Sequence, residues 1–358
     1  EVSNFFQRSI GEGQAIGEET GCVRQLTLLP PNLKHPLQFV ARVTGAIPKP
    51  RTTRNKTWRQ LKGHDFSSRT KISYIYGKEG LERAGFGLIH AVGKGSAYDP
   101  MLLKVHYRPP TDRQKPVKKV VLIGKGIVFD TGGTNAKGND DDLERMHYDM
   151  AGAAVVIRIV KLAEKMNLPV ELVALAPIAE NANGPHASRT AAVVKAYDGR
   201  TVQIIDTDCE GRIVLADAVA YSERHLRPDC TITIGTLGDM TALGPDLIKV
   251  GFGSDRVRRK IVRAENASIE KVSLLPSIDH LNEVYNEHLG SVSDLLNWPV
   301  GGYYDTSPFV FLYNFFAMER PEWVFVDPSA LFEVDADNYG AGPGFGLKFI
   351  WFLLRQYA

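Results

Sequence analysis

The segment Asp206–Asp217, with the sequence DTDCEGRIVLAD, constrains this chain more than any other feature. It sets two carboxylates, Asp208 and Glu210, one residue apart and places a glycine and Arg212 directly behind them. Alternate residues of an extended turn point the same way, so both carboxylates are predicted to converge on one point. Convergent oxygens suit a divalent cation, and the guanidinium beside them suits an oxyanion. A helix cap followed by solvated charge is the alternative that this segment alone leaves open.

A second segment, upstream of the first, favours the cation site. It begins with the apolar run Val120–Gly124, which predicts a buried strand, and then loses regular periodicity as far as Lys137. Glycines, lysines and an aspartate crowded into so short a stretch indicate a shaped loop. A phosphate-binding loop is not expected, because the glycine spacing around Lys125 does not match that motif and no G-x-G-x-x-G follows a strand.

Three motifs together resemble those of the leucyl (cytosol) aminopeptidase family, which are two-metal exopeptidases. They read GKGIVFDTGGTNAK from Gly124, MHYDMAGA from Met146, and DTDCEGR within Asp206–Asp217. Two shorter motifs near Ser293 and Gly344 extend the resemblance, so that it covers the chain from about Val23 to Ala358. The resemblance implies a hexamer that acts on peptides with a free N-terminus.

Matched residue by residue, the resemblance also implies the roles of individual side chains. Two divalent ions per subunit, Zn²⁺, Mn²⁺ or Mg²⁺, would be held by five ligands: Lys125, Asp130, Asp149, Asp208 and Glu210. Two residues would be catalytic, one by polarising the scissile carbonyl and one by holding a bicarbonate ion: Lys137 and Arg212. Four more would contact the substrate: Met146, Thr236, Leu237 and Gly238. The chemistry is consistent, because bound cations can lower the pKa of a water and an ammonium can stabilise an oxyanion.

The chain departs from the family pattern at several positions. Asp206 stands where the family has Asn, Cys209 where it has Ala, and His147 where Lys is common. A solvated or packed histidine is the simpler interpretation of the last change. The segment Gly235–Gly244 is shorter than its counterpart, and Val326–Ala330 also differs in sequence. Because both segments line the family's substrate pocket, a preference that is weaker for leucine or shifted from it is predicted.

The composition is that of a large globular chain. Of the 358 residues, 44% are hydrophobic and 23% are charged, which is enough for one large core or two domains. No apolar run approaches the roughly 18 residues of a membrane span, so no membrane partner is expected. The cysteines, three in number and without close pairs, are typical of a reducing compartment: Cys22, Cys209 and Cys230. The cytoplasm or another reducing intracellular compartment is therefore predicted, with import into an organelle left open.

Charge offers little support for a nucleic-acid partner. The formal net charge is only +2. Two basic runs, residues 51–62 and 113–119, could serve RNA or DNA, and the first of them carries Trp58. A solvated face is the simpler interpretation of such runs. Nucleic acid is therefore not expected as a partner.

Apolar runs alternate with helical patterns along the chain. Five strands are predicted: Val120–Ile123, Val170–Leu175, Val202–Ile205, Cys230–Thr236 and Trp323–Val326. Four helices are predicted: Ala153–Met166, Ile213–Arg224, Pro308–Met318 and Leu347–Arg355. This alternation predicts a layered α/β domain with a central mixed, mostly parallel sheet flanked by helices. Residues 1–22 are expected to be a linker remnant or a disordered start, and 23–358 the catalytic domain, without the family's N-terminal domain.

Two classes of function remain. The first is a metal-dependent exopeptidase that releases N-terminal amino acids through a water activated by two metal ions. The second is a catalytically weak or inactive family member that acts as a structural subunit or a nucleic-acid-associated scaffold. All the matched ligands and catalytic residues have the expected chemical type, which favours the first class, since an inactive relative tends to lose its ligands.

Overall fold

The computed structural model describes residues 2–49, 58–63, 65–110, 116–138, 143–238, 247–285, 292–298, 306–317, 321–329 and 344–358. The strands within these residues are β1 Arg59–Leu61, β2 Thr70–Tyr76, β3 Met101–Tyr107, β4 Lys119–Gly124, β5 Gly126–Asp130, β6 Glu171–Asn181, β7 Val193–Lys195, β8 Thr201–Gln203, β9 Cys230–Ile234, β10 Ile248–Phe252, β11 Val272–Leu274, β12 Leu295–Leu296 and β13 Trp323–Asp327. The α-helices are α1 Val2–Thr27, α2 Pro36–Thr44, α3 Lys78–Ala84, α4 Gly87–Gly93, α5 Ala151–Met166, α6 Glu210–His225, α7 Asp255–Ser268, α8 Ile278–Tyr285, α9 Ser307–Tyr313 and α10 Leu347–Leu354. Within the same residues, short 3₁₀ helices span Pro31–Leu33 and Leu143–Tyr148.

A mixed sheet forms the centre of the molecule. Its order among the described residues is β1-β2-β3-β6-β4-β9-β13-β10-β11, with β5 paired to β6 beside this path. The central strands β6, β4, β9 and β13 run parallel to one another, whereas β1, β2 and β3 add an antiparallel edge and β10 pairs antiparallel with β13. The predicted fold class, an α/β domain with a central mixed sheet, is confirmed.

Helices cover both faces of this sheet. Successive side chains of β4 alternate between two hydrophobic clusters, with Val120 and Leu122 in one and Val121 and Ile123 in the other. The first cluster includes buried side chains of α1, α2, α5, α7 and α10, and the second those of α3, α4, α6, α8 and α9. A strand that is buried on both faces explains why its sequence is a continuous apolar run.

The start of the chain is helical. Of the segment predicted to be a linker remnant or a disordered start, residues 2–22 belong to α1, which packs on α5. Arg158 of α5 donates from Nε to the Glu19 carboxylate at 2.6 Å, and both side chains are buried. Four glycines lower the intrinsic helix propensity of this stretch, and tertiary packing overrides it: Gly11, Gly13, Gly17 and Gly21. The division of the chain into a start and a catalytic domain stays a prediction.

Several element boundaries differ from those predicted. The predicted strand Val202–Ile205 corresponds to β8, which lies outside the main sheet, between β7 and β12 in a small three-stranded sheet. The predicted helix Pro308–Met318 corresponds to the shorter α9, and Met318 lies outside the described residues. None of the helices in the described part of the chain is long and apolar enough to cross a bilayer.

Buried Asp217 of α6 joins three parts of the fold. Its Oδ2 accepts hydrogen bonds from the backbone N–H groups of Leu88 and Ile89 at the start of α4, at 2.9 and 3.0 Å. Its Oδ1 accepts from the N–H of Tyr197 at 2.8 Å. Burial raises the pKa of Asp217 to about 7, although the three N–H donors act in the opposite direction. The carboxylate thus supplies acceptors that the first turn of α4 cannot find within its own helix.

We expect Asp217→Ala to lower the free energy of unfolding by about 3 kcal/mol or more, since three N–H groups would lose their acceptor. Urea unfolding followed by tryptophan fluorescence measures this change. Glu79→Ala removes an exposed carboxylate that pairs with Arg83 on the same helix, and it should change stability by less than about 0.5 kcal/mol. Equal stability of the two variants would contradict the role of Asp217.

Candidate active site

Three buried carboxylates from separate parts of the chain meet at one end of the central strands. Asp130 is the last residue of β5, Asp149 follows the 3₁₀ helix Leu143–Tyr148, and Glu210 is the first residue of α6. One oxygen from each carboxylate lies within 4.8 Å of the other two. Buried carboxylates this close together remain ionised only if nearby cations offset their charge. The cluster is therefore a candidate cation site.

Lys125 neutralises part of this cluster. Its Nζ lies 2.7 Å from Asp149 Oδ1 and 2.7 Å from Glu210 Oε1, and it donates to the Thr236 carbonyl at 2.7 Å. Burial by itself would lower the pKa of this amine, but the carboxylates of Asp149 and Glu210 outweigh it and hold the pKa above its ordinary value. Without a metal ion the side chain is thus an ammonium, and it would have to lose a proton to become a ligand.

Lys137 and Asp208 form a second ion pair beside the first. Lys137 Nζ lies 2.7 Å from Asp208 Oδ1 and 3.3 Å from Asp130 Oδ2. Burial and the neighbouring carboxylates of Asp130 and Glu210 raise the pKa of Asp208 to about 8, although Lys137 acts in the opposite direction. Two lysines therefore face four carboxyl groups, so the site carries an excess of negative charge when all four are ionised.

The donor set fits divalent cations. Within the described residues, the buried oxygens Asp149 Oδ2 and Glu210 Oε2 accept no hydrogen bond. Burial raises the pKa of both carboxyl groups. Acceptors left without a donor in a buried site indicate an absent partner, and carboxylate oxygens with one amine nitrogen suit Zn²⁺, Mn²⁺ or Mg²⁺.

Glycines permit the close approach of the backbone segments that carry these side chains. A Cβ at Gly211 would lie 2.5 Å from Cε of Lys125, so a larger residue would displace this lysine from the start of α6. Gly132 has φ +83°, a conformation that favours glycine, and its N–H donates to Asp130 Oδ1 at 3.0 Å. Gly132 and Gly211 are thus required by backbone conformation and by close packing in the two loops that carry the predicted ligands.

Asn181, at the end of β6, orients Asp130 and was not predicted from the sequence. Its Nδ2 donates to Asp130 Oδ1 at 2.7 Å and to the Thr207 carbonyl at 3.1 Å. Asn135 adds a second connection, since its Oδ1 accepts from the N–H of Thr207 at 3.0 Å and its own N–H donates to Thr207 Oγ1 at 2.8 Å. These contacts hold the loop after β5 against the segment that carries Asp208.

Two departures from the family pattern have local structural roles. Asp206 Oδ1 accepts a hydrogen bond from the N–H of Asp208 at 2.8 Å, which shapes the turn before α6. The Asp206 backbone is bound in turn by Asn297, whose Nδ2 donates to the Asp206 carbonyl at 2.6 Å. His147 Nδ1 lies 2.9 Å from the Glu144 carbonyl, and His147 is not part of the ligand cluster found in the described residues.

Arg212 lies in the first turn of α6, two residues after Glu210, and is almost fully buried. Its Nη1 donates to the Asn297 carbonyl at 3.2 Å and to Ser307 Oγ at 2.7 Å. Its guanidinium carbon lies 5.4 Å from the centre of the Trp298 ring. Nε of Arg212 has no hydrogen-bond partner among the described residues. The guanidinium thus keeps a buried donor with which it could bind an anion.

The predicted substrate-binding segment continues from the ligand cluster. The Thr236 hydroxyl donates to Asp149 Oδ1, and its carbonyl accepts from Lys125. Met146, also predicted to contact the substrate, is half-buried in the 3₁₀ helix that precedes Asp149. The predicted residues Thr236 and Met146 therefore lie next to candidate ligands in the structure.

Asp327 binds the end of the predicted substrate-binding segment, at Gly238. Its carboxylate accepts from the N–H of Gly238 at 3.0 Å and lies 3.4 Å from Lys249 Nζ, and both charged side chains are buried. The N–H of Leu237 donates to Ser329 Oγ at 3.0 Å. Because the N–H groups of Leu237 and Gly238 are already bound within the protein, these two residues can offer only their carbonyl groups to a peptide backbone. Residues 239–246 and Ala330 lie outside the described residues, so the predicted effect of the shortened loop stays a prediction.

The sequence analysis did not predict Asn181 and Asp327 as site residues, and both lie at the ends of strands. Asn181 ends β6 and Asp327 ends β13, at the same sheet edge as Lys125 and Asp130. Ligands of open α/β sheets gather at the carboxyl ends of their strands. A polar residue directly after an apolar run was the available signal, but it does not show which neighbour the side chain contacts.

Comparison with known proteins agrees with this arrangement. Residues 22–350 match the model of the cytosol aminopeptidase family, catalytic domain. A probable cytosol aminopeptidase of Syntrophotalea carbinolica is 33% identical over 82% of this chain and 54% of its own length. Probable cytosol aminopeptidase 1 of Shewanella oneidensis is 35% identical over 80% of this chain and 56% of its own length. The chain thus spans about half the length of these curated relatives.

Solved structures show the same fold. The bottromycin maturation enzyme BotP in complex with Mn superposes with a TM-score of 0.82 at 29% identity, covering 98% of this chain and 72% of BotP. Leucyl aminopeptidase from Trypanosoma brucei in complex with actinonin also has a TM-score of 0.82, at 27% identity, covering 97% of this chain and 62% of that enzyme. From its motifs, its fold and these matches, the chain belongs to the cytosol aminopeptidase family, whose catalytic-domain pattern it carries.

Proposed function

We propose that this chain is the catalytic part of a metal-dependent aminopeptidase that releases N-terminal amino acids from peptides. The observation that carries the proposal is the buried cluster of Asp130, Asp149 and Glu210, in which carboxylate oxygens converge and some lack any donor among the described residues. The aminopeptidase names of the relatives and the Mn complex of BotP support it. The alternative, a weak or inactive family member acting as a structural subunit or nucleic-acid-associated scaffold, is disfavoured because all five residues matched to the family's ligands have the expected chemical type.

The proposed site holds two divalent ions, Zn²⁺, Mn²⁺ or Mg²⁺, with these ligands: Lys125, Asp130, Asp149, Asp208 and Glu210. When bound, such ions lower the pKa of a water so that it can attack a peptide carbonyl near neutral pH. The protein contributes carboxylates whose orientation is set by neighbouring hydrogen bonds. Asn181 orients the Asp130 carboxylate, and Thr236 orients that of Asp149.

Lys137 is proposed to stabilise the oxyanion that forms at the scissile carbonyl. The carboxylates of Asp130 and Asp208 outweigh the effect of burial and hold the pKa of Lys137 above its ordinary value, so the side chain remains an ammonium. A charged donor next to the reacting carbonyl lowers the energy of the negatively charged transition state. Lys137 acts in this proposal as an electrophile and not as a base.

Arg212 is proposed to hold an anion such as bicarbonate. Its unpartnered Nε offers a buried hydrogen-bond donor, while Nη1 is fixed by Ser307 and the Asn297 carbonyl. When bound, such an anion would supply a group for general acid–base proton transfer, and Arg212 would hold it in place. The unpartnered Nε therefore supports the proposal that Arg212 binds an anion.

The same proposal includes assembly into a hexamer and a location in the cytoplasm. The hexamer rests on the resemblance to the family. The location is supported by the name cytosol aminopeptidase, which the relatives carry, and by the free cysteines Cys22, Cys209 and Cys230. Free thiols are typical of reducing compartments.

The function is tested with protein loaded with Mn²⁺ and a panel of aminoacyl amides and short peptides. We expect hydrolysis of substrates with a free N-terminus, with a preference that is weaker for leucine or shifted from it, and no hydrolysis of N-acetylated copies. Release of amines is followed by mass spectrometry, with chelator-treated protein as the control. Bound Mn²⁺ without hydrolysis of any substrate would favour the scaffold alternative.

Metal ligation is tested separately by Asp208→Ala and Glu210→Ala. Each variant should lose at least one metal ion per subunit, because the remaining carboxylates no longer offset the charge of two cations. Elemental analysis after dialysis gives the stoichiometry. Asp206→Asn is the matched control, since it removes a carboxylate from the same turn that is not a proposed ligand, and it should keep both ions. Unchanged stoichiometry in both alanine variants would show that the ligand assignment is wrong.

Lys137→Ala separates catalysis from metal binding. The variant should keep both ions while kcat falls by about 10²-fold or more, which is the usual effect of removing an oxyanion-stabilising group. Stopped assays at saturating substrate, combined with elemental analysis of the same sample, measure both properties. Lys118→Ala, which changes an exposed lysine paired with Asp229, is the control. Loss of metal together with the Lys137 side chain would instead make it a ligand.

A further inference from the structure

Lys34 is a fully buried lysine that the proposed chemistry does not use. It follows the 3₁₀ helix Pro31–Leu33, and within the described residues it forms no ion pair with a carboxylate. Its Nζ instead donates to three backbone carbonyls, those of Leu26 at 3.0 Å, Thr27 at 3.0 Å and His147 at 2.5 Å. A buried cation is thus bound only by neutral oxygens.

The number of acceptors indicates the charged form of this side chain. An ammonium offers three N–H donors, whereas a neutral amine offers two, so three carbonyls are satisfied only by the ammonium. Burial acts in the opposite direction and lowers the pKa of Lys34 to about 7. Leu26 and Thr27 are the last residues of α1, where carbonyl groups lack helical partners and carry partial negative charge. A cation at this point therefore stabilises the end of α1.

The third carbonyl connects Lys34 to the candidate active site. His147 lies in the 3₁₀ helix Leu143–Tyr148, which also carries Met146 and ends directly before Asp149. The Asp149 carboxylate, two residues further on, is bound by Lys125 and Thr236. Lys34 thus joins the end of α1 to the backbone of the segment that presents a proposed metal ligand.

We propose that Lys34 is a positioning residue whose ammonium acts as a built-in monovalent cation, binding the end of α1 to the 143–149 segment and fixing the position of Asp149. The contribution to metal binding rests on the proposed function, whereas the contribution to local order does not. Removing a residue that positions a metal ligand without contacting the ion typically lowers metal affinity by about 10- to 100-fold. Lys34 should therefore affect metal affinity without touching a metal ion.

The test compares Lys34→Ala with Lys34→Met in the full chain. The alanine variant removes the charge and leaves room for a small cation, whereas the methionine variant removes the charge and fills the space. Hydrogen exchange of the amides of residues 143–150 and Mn²⁺ affinity by calorimetry are measured in tetramethylammonium chloride and in ammonium chloride. Tetramethylammonium carries no N–H donors and is too large for the site.

In tetramethylammonium chloride, we expect both variants to exchange faster in this segment and to bind Mn²⁺ about 10- to 100-fold more weakly than the wild type. Ammonium chloride should restore the alanine variant toward wild-type values and leave the methionine variant unchanged. Wild-type exchange and affinity in the alanine variant without a small cation would overturn the proposal. Equal restoration of both variants, or of neither, would overturn it as well.

If Lys34→Ala does not fold, the methionine variant alone decides the question. Wild-type exchange and Mn²⁺ affinity in that variant would overturn the proposal, and faster exchange with weaker binding would support it. Neither measurement uses turnover. If the wild-type protein binds Mn²⁺ but hydrolyses no peptide, the proposed aminopeptidase function is refuted. The test of Lys34 as a positioning residue is unaffected by that result.

Discussion

The repulsion between buried carboxylates at the carboxyl end of the sheet is the constraint on which the rest of this structure depends. Asp130, Asp149 and Glu210 are buried within a few ångströms of one another, and Asp208 adjoins them. Such an arrangement is stable only when positive charge is held inside the same site. Lys125 and Lys137 supply part of that charge, and the excess that remains makes the site suitable for divalent cations.

The fold meets this constraint by bringing distant segments to one sheet edge. Parallel strands all end at the same edge, so the residues that follow β4, β5, β6 and β13 become neighbours although they are far apart in the chain. Helix α6 enters the site with Glu210 at its first turn, and Gly211 leaves space for Lys125 against this turn. The mixed sheet therefore does more than form the core, since its strand order decides which charges meet.

Buried lysines recur around the site, and each has a different set of partners. Lys125 binds two carboxylates and a carbonyl, and Lys249 lies beside Asp327, which binds the N–H of Gly238. Among the described residues, Lys34 binds only carbonyls. Each of them fixes a backbone segment that leads to the candidate ligands or to the substrate. Because an ammonium is a compact donor with three N–H groups, it can replace a small bound cation in such positions.

The sequence by itself determined the fold class and the chemical type of the site. Continuous apolar runs such as Val120–Gly124 require strands buried on both faces, and the spacing of Asp208, Glu210 and Arg212 indicates a cation site because these relations are local. The tertiary structure alone decided the contacts that join distant segments, including Asn181 with Asp130 and Lys34 with the 143–149 segment. It also decided the helical start, where packing on α5 overrides four glycines. Such contacts depend on strand order and packing, which the local pattern of side chains does not encode.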